Sequence, residues 1–198
     1  MDWFTGENLI ALIKAVGYLG IFAIVFAESG LFFGFFLPGD SLLFTAGLLA
    51  SQHVFDITAL VFLIAAGAIL GDQVGYAFGK SVGPKLFKRE STFLFNQKNL
   101  IRARNFYEQY GAITIVLARF MPIIRTFAPI VAGIGGMRYR TFVIYNILGG
   151  LLWTLSLVLS GYYLVKIIPG IEQYITWVVV GIVIISVVPM ISHTIKRK

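Results

Sequence analysis

The sequence predicts an all-α integral membrane protein. Its plan is two inverted repeats, each a re-entrant hairpin plus a transmembrane helix, followed by an extra C-terminal transmembrane helix. Three observations lead there. Of 198 residues, 58% are hydrophobic and only 13% are charged, whereas soluble domains carry about a quarter charged residues. Two apolar regions, 18–51 and 111–136, hold charges and prolines near their centres. The chain also repeats its own order of breaks and charges. One membrane domain over 1–198 is expected, of the multi-pass kind.

Taken in order, residues 3–17 read as an interfacial helix on the outer surface, or as the first part of a crossing with 18–27. Met-Asp-Trp-Phe at the start has no basic run, so no cleaved signal peptide is expected. Residues 18–51 contain Glu28, Asp40 and the helix-breaking pair Pro38-Gly39, and read as a hairpin that enters and returns. Residues 57–79 form a crossing of about the ~20 residues that a spanning helix needs. The stretch 80–104 holds seven Lys and Arg against Glu90, which places it in the cytoplasm. NQKNLIRARNFYEQY mixes apolar and basic residues as an interfacial helix against lipid headgroups does.

Residues 111–136 are the second hairpin, broken at Pro122 and Pro129, with Gly133, Gly135 and Gly136 allowing close packing. A full crossing here would put Arg138, Arg140 and the tail Lys196-Arg197-Lys198 outside; a hairpin keeps all of them inside. Non-helical backbone at that depth must be enclosed by protein or line a wet cavity. Residues 141–165 and 172–193 are the remaining crossings. The glycines at 67, 71, 75 and 79 form a small-residue face suited to close helix packing.

Glu28 and Arg119 lie 91 positions apart, and the same offset aligns ENLI at 7–10 with KNLI at 98–101 and Pro38 with Pro129. GYAFGK at 75–80 matches GYYLVK at 161–166 at an offset of 86. The repeats run over about 7–80 and 98–166. With Lys80 inside and Lys166 outside they are inverted, an arrangement found in transporters.

The first hairpin thus brings acids, Glu28 and Asp40, and the second brings Arg119 and Arg125. A charge at the bilayer centre costs at least ~3 kcal/mol on insertion scales, so four persist only if paired or solvated. One reading is a salt-bridge cluster that pins the hairpins. The other is a site, because guanidinium forks suit phosphate and carboxylates in low dielectric take up protons more readily. Arg119 and Arg125 are the candidate phosphate-binding residues, with Glu28 and Asp40 as counter-charges or proton acceptors. Asp72 and Asn146 are possible supports. Asn146 and Trp153 lie seven residues apart on one helix face, read mainly as packing.

The two histidines, His53 and His193, have no metal-binding neighbours in sequence, and there is no cysteine or Walker A pattern. No metal, cofactor or enzyme chemistry is expected. The net charge of +7 adjoins membrane segments, so nucleic acid is not the expected partner.

At these residues the sequence resembles the DedA family of bacterial membrane proteins. The resemblance rests on Glu28, FLPGD at 36–40, GDQVGYAFGK at 71–80, RFMPIIR at 119–125 and the spaced Asn, Gly and Trp of 146–153, and it covers roughly 16–165. It implies two inverted re-entrant hairpins, a place in the cytoplasmic membrane and movement of lipids between leaflets. The implied cargo is undecaprenyl phosphate, recycled for cell-wall synthesis, or for some members phosphatidylethanolamine. It also implies dependence on Glu28, Asp40, Arg119 and Arg125. The partners expected are therefore a membrane lipid and protons, with a homo-oligomer left open. The lipid tail would pass an opening lined by Phe32, Phe33, Phe35 and Phe36, or these aromatics serve only packing and lipid contact. A general scramblase, a proton-coupled exporter of a small cation or drug, and a non-transporting scaffold remain rival readings.

Overall fold

A computed structural model describes residues 6–30, 39–86 and 105–168. The described residues form helices α1 (Gly6–Gly30), α2 (Gly39–Ser51), α3 (Ile57–Leu86), α4 (105–110), α5 (Ile113–Ala118), α6 (Pro122–Ile134) and α7 (Tyr139–Ile167), with no strand among them. Pro38, Phe32, Phe33, Phe35, Phe36, most of the basic loop and the 172–193 segment lie outside the described residues.

The structure decides or corrects several of the sequence expectations, among them residues 3–17 and Pro129. Of the two placements expected for 3–17, the described part, from Gly6 on, is continuous with 18–30: residues 6–30 form one helix, about 37 Å long at 1.5 Å per residue. No proline interrupts this stretch, and isolated Gly17 and Gly20 are tolerated inside a helix. Pro129 sits inside α6, which continues to Ile134, so it is not a break. Its ring deprives the Arg125 carbonyl of the N–H that an ordinary residue at 129 would supply.

The break expected at Pro122 is present. Met121 is extended, with φ −118° and ψ 103°, because a residue preceding proline is pushed out of the helical region. Pro122 then opens α6, where its missing N–H costs nothing. α5 and α6 pack on each other across this break. Gly39 is likewise the first residue of α2.

The chain divides into two compact units. The first holds 6–24, 39–65 and 154–168 of the described residues. Here α2 ends in a turn with His53 at φ 59°, where Val54 N–H reaches back to Leu49 C=O and His53 N–H to Ala50 C=O. Asp56 caps α3 by accepting from Ala59 N–H at 2.8 Å, while its own N–H donates to the Tyr18 hydroxyl. α2 crosses α7 at backbone contact. A Cβ on Gly47 would lie 2.1 Å from Val158 O, and one on Gly161 would lie 2.1 Å from Phe44 O.

The second unit holds 25–30, 66–86 and 105–153. Its core is Tyr76, Ile115, Ala118, Ala128, Ala132 and Phe142, with Tyr76 stacked on Phe142 at 4.4 Å. The glycine face predicted on α3 does pack closely. A Cβ on Gly79 would lie 2.1 Å from Ile130 O of α6, and one on Gly133 would lie 2.3 Å from Tyr76 O. Gly136 serves differently from the packing role expected of it. With φ 74° and open space around it, it makes the left-handed turn that ends α6.

Among the described residues two helices, α3 over Ile57–Val82 and α7 over Tyr139–Val165, are long and apolar enough to cross a membrane. Their surfaces match that solvent. Phe62 is 72% exposed, and Leu70, Phe78, Ile144, Leu148 and Leu152 are also exposed. Glu28, Asp72, Arg119, Arg125 and Asn146 are buried instead. In water this polarity would be the wrong way round; in hydrocarbon it is the stable one.

Candidate functional site

The buried charges gather in the second unit, each delivered by a different local cause. Glu28 lies in the last turn of α1. Arg119 lies where α5 ends, three residues before the proline that forces the break. Arg125 lies in the first turns of α6, its N–H bonded to Met121 C=O across the break. Asp72 comes from α3, and Asn146 and Trp153 come from α7. The break thus presents two arginines from two successive helices that pack on each other.

Arg119 is 1% exposed. Its Nη2 donates to Asp72 Oδ2 at 2.5 Å, to Asn146 Oδ1 at 2.5 Å and, more weakly, to Ala68 C=O at 3.4 Å. Asn146 Nδ2 donates to Ile69 C=O at 3.1 Å, which fixes the amide with its oxygen toward the guanidinium. Arg125 is 2% exposed and pairs with Glu28. Its guanidinium lies over the Trp153 ring, 4.7 Å from the centroid. A ring face holds a cation without taking one of its N–H donors.

The four charges balance: two carboxylates against two guanidiniums. Arg119 Nε and Nη1 and Asp72 Oδ1 have no hydrogen-bond partner among the described residues. Two of the three Arg119 guanidinium nitrogens can therefore donate to an incoming anion, and the bidentate grip that suits phosphate needs Nη2 to give up Asp72 or Asn146. Among the described residues no group of three or more His, Asp or Glu is placed to hold a metal ion.

The pairing expected from sequence is half present. Glu28 meets Arg125, but the partner of Arg119 is Asp72, read from sequence only as a possible support. Asn146 is in direct contact with Arg119 as well. Asp40 belongs to the other unit, where it lies half-buried in the first turn of α2, an acid at the positive end of a helix. The sequence reading missed Trp153 as a partner of Arg125, and Gly149 and Gly150 as the bed of Arg119. A Cβ on Gly149 would stand 3.2 Å from Arg119 Cδ, and one on Gly150 would stand 2.9 Å from an Ile69 carbon. The signal was available. Asn146, Gly149, Gly150 and Trp153 follow the i, i+3, i+4, i+7 spacing of one helix face.

A helical protein that turns apolar side chains outward and buries two acid–arginine pairs is a membrane protein with a charged centre. The comparisons with known proteins agree. The family profile of the VTT domain matches residues 37–163. The chain is 44% identical over 183 residues to the protein DedA of Escherichia coli K12, covering 91% of this chain and 83% of that one. An uncharacterized membrane protein of Mycobacterium leprae is 42% identical over 189 residues, covering 96% and 83%. The inner membrane protein YghB of Escherichia coli K12 is 35% identical over 162 residues, covering 82% and 74%. The chain belongs to the DedA family of VTT-domain membrane proteins. No solved structure matches it significantly.

Proposed function

We propose that this chain is a multi-pass lipid translocase of the bacterial cytoplasmic membrane, not an enzyme. In this reading it binds the phosphate head of undecaprenyl phosphate on the outer side and returns it to the cytoplasmic leaflet for cell-wall synthesis. The observation that carries the reading is the pair of buried arginines, each held by an acid and one keeping two unpartnered donors. A phosphate entering the centre competes with Asp72 for Arg119 and with Glu28 for Arg125. The displaced carboxylates, still in low dielectric, take up protons. When the phosphate leaves, the carboxylates release them and pair again, which links lipid movement to protons. Asp40 is the further acid on which this reading expects transport to depend.

The α5–α6 pair is read as one re-entrant hairpin, and the end of α1 with α2 as the other. The two glycine crossings support a repeat. Phe44 and Gly47 meet Val158 and Gly161 in one unit; Ile130 and Gly133 meet Tyr76 and Gly79 in the other, with equal spacing.

The test is leaflet exchange in proteoliposomes carrying fluorescent undecaprenyl phosphate or phosphatidylethanolamine, at two pH values. Arg125→Ala protein that still purifies folded should lose exchange of the polyprenyl phosphate. A second reading, a phosphatidylethanolamine flippase or general scramblase, is favoured by the equal numbers of acids and arginines, which suit a zwitterionic head. Equal exchange of both lipids would select it. No exchange of either by folded protein would remove both readings and leave a cation exporter or a scaffold.

A further inference from the structure

A groove of about 560 Å³ runs along the lipid-facing side of α3 in the second unit. Its wall is apolar where Phe26, Leu70 and Val74 line it, and polar at one end, where Lys80, Ser81 and Tyr139 stand. Lys80 and Ser81 are exposed, and Tyr139 is flanked in sequence by exposed Arg138 and Arg140. Among the described residues that line it there is one cation and no acid. Between the two ends lies Gln73, whose side-chain oxygen is buried and has no hydrogen-bond partner among the described residues.

The geometry points to a resident site for an anionic diacyl phospholipid of the bilayer, its phosphate at Lys80 and Ser81 and its acyl chains along Leu70 and Val74. Three features select this occupant. Among the described residues that line it, the polar end carries positive charge and no acid, which attracts anionic lipid more than zwitterionic lipid. Gln73 lies seven residues before Lys80, about 10 Å along the helix, on the same face. A diacyl lipid has ester carbonyls between its phosphate and its chains, and an amide can turn its NH₂ toward one of them. A polyprenyl phosphate has only hydrocarbon at that depth. The site is separate from the buried arginines and does not depend on which lipid the protein moves.

The test uses the full chain in phosphatidylcholine nanodiscs. Each preparation contains a small fraction of one chain-photoreactive lipid: phosphatidylglycerol, phosphatidylethanolamine or undecaprenyl phosphate. Crosslinks are mapped by peptide mass spectrometry. Phosphatidylglycerol should label residues 70–81 above the other two lipids. Lys80→Gln, a change at an exposed side chain, should reduce that labelling roughly fivefold, the effect of one basic residue at an anionic surface. Gln73→Leu should reduce it in a fold that is otherwise unchanged. Arg125→Ala should leave it intact, whatever that change does to transport. Equal labelling by phosphatidylethanolamine, stronger labelling by the polyprenyl phosphate, indifference to Lys80→Gln, or crosslinks from this face to a second copy would each overturn the assignment.

Discussion

Each buried charge here has a stability role and a binding role, and substitutions can separate them. Removing one member of a buried pair typically costs about 3–5 kcal/mol, because the other charge stays behind. Arg119→Ala should therefore lower the unfolding temperature in detergent markedly. Adding Asp72→Asn to it should restore most of that loss, since no buried charge then lacks its partner. The double variant should still fail to exchange polyprenyl phosphate. If exchange returned with stability, Arg119 would be structural only. Trp153→Leu removes the ring face beneath Arg125, a contact of about 2 kcal/mol when desolvated. Trp153→Phe should keep part of it, and calorimetric or thermal-shift comparison of the two would show this order.

Helix packing depends on backbone contact at a few glycines. Gly133→Leu puts side-chain atoms where α3 backbone now lies, so α3 and α6 must separate, and the folded yield should fall sharply. Gly20→Ala is the control, because a Cβ there meets nothing within 4 Å. It should be neutral or stabilise α1 by about 0.5–1 kcal/mol. The join between α4 and α6 is a hydrogen bond from the Tyr107 hydroxyl to Ala128 C=O at 2.8 Å. Burial pushes the Tyr107 phenol well above its usual range. Its contribution is therefore complete below the unfolded value of about 10 and is lost as pH rises above that. Tyr107→Phe should cost about 1 kcal/mol at neutral pH, and its stability should fall less than the parent's above pH 10. The helices themselves were legible because apolar length and a proline preceded by an extended residue are local signals. The extent of α1 was not, because the charges at Glu7 and Lys14 fit a surface helix as well as a continued one. Pro129 misled because a proline marks a break only where nothing else holds the helix together.

At the scale of the whole molecule, the polarity of the surface sets what a substitution does. Leu152 is exposed on α7. Leu152→Lys would be nearly neutral on a water-facing surface, but at a lipid-facing one it should reduce membrane insertion by about 3 kcal/mol. An insertion assay with engineered glycosylation sites measures that difference directly. The charged centre was partly legible for the same reason: buried charge in an apolar chain requires a partner, so Glu28, Arg119 and Arg125 were readable as a group. Which acid meets which arginine was not readable. Asp40 and Asp72 are both acids in apolar runs, and only the packing of α3 against the α5–α6 break brings Asp72 to Arg119. The spacing put Trp153 on the face of Asn146, but its contact with Arg125 was not readable, because that partner lies on another helix.

The order of the pairs along the chain bears on how the protein is made. Glu28 is synthesised 97 residues before Arg125, and Asp72 is synthesised 47 residues before Arg119. At about 5–20 residues per second of synthesis, Glu28 waits roughly 5–20 s for its partner. During that interval the ribosome-bound half-chain carries Glu28 and Asp72 without the arginines that pair with them. Nascent chains arrested before residue 119 should stay close to the insertion machinery, and chains arrested well beyond 125 should be released from it. Site-specific crosslinking from Leu43 would follow that release. Replacing Glu28 with Gln should bring it forward to shorter chains.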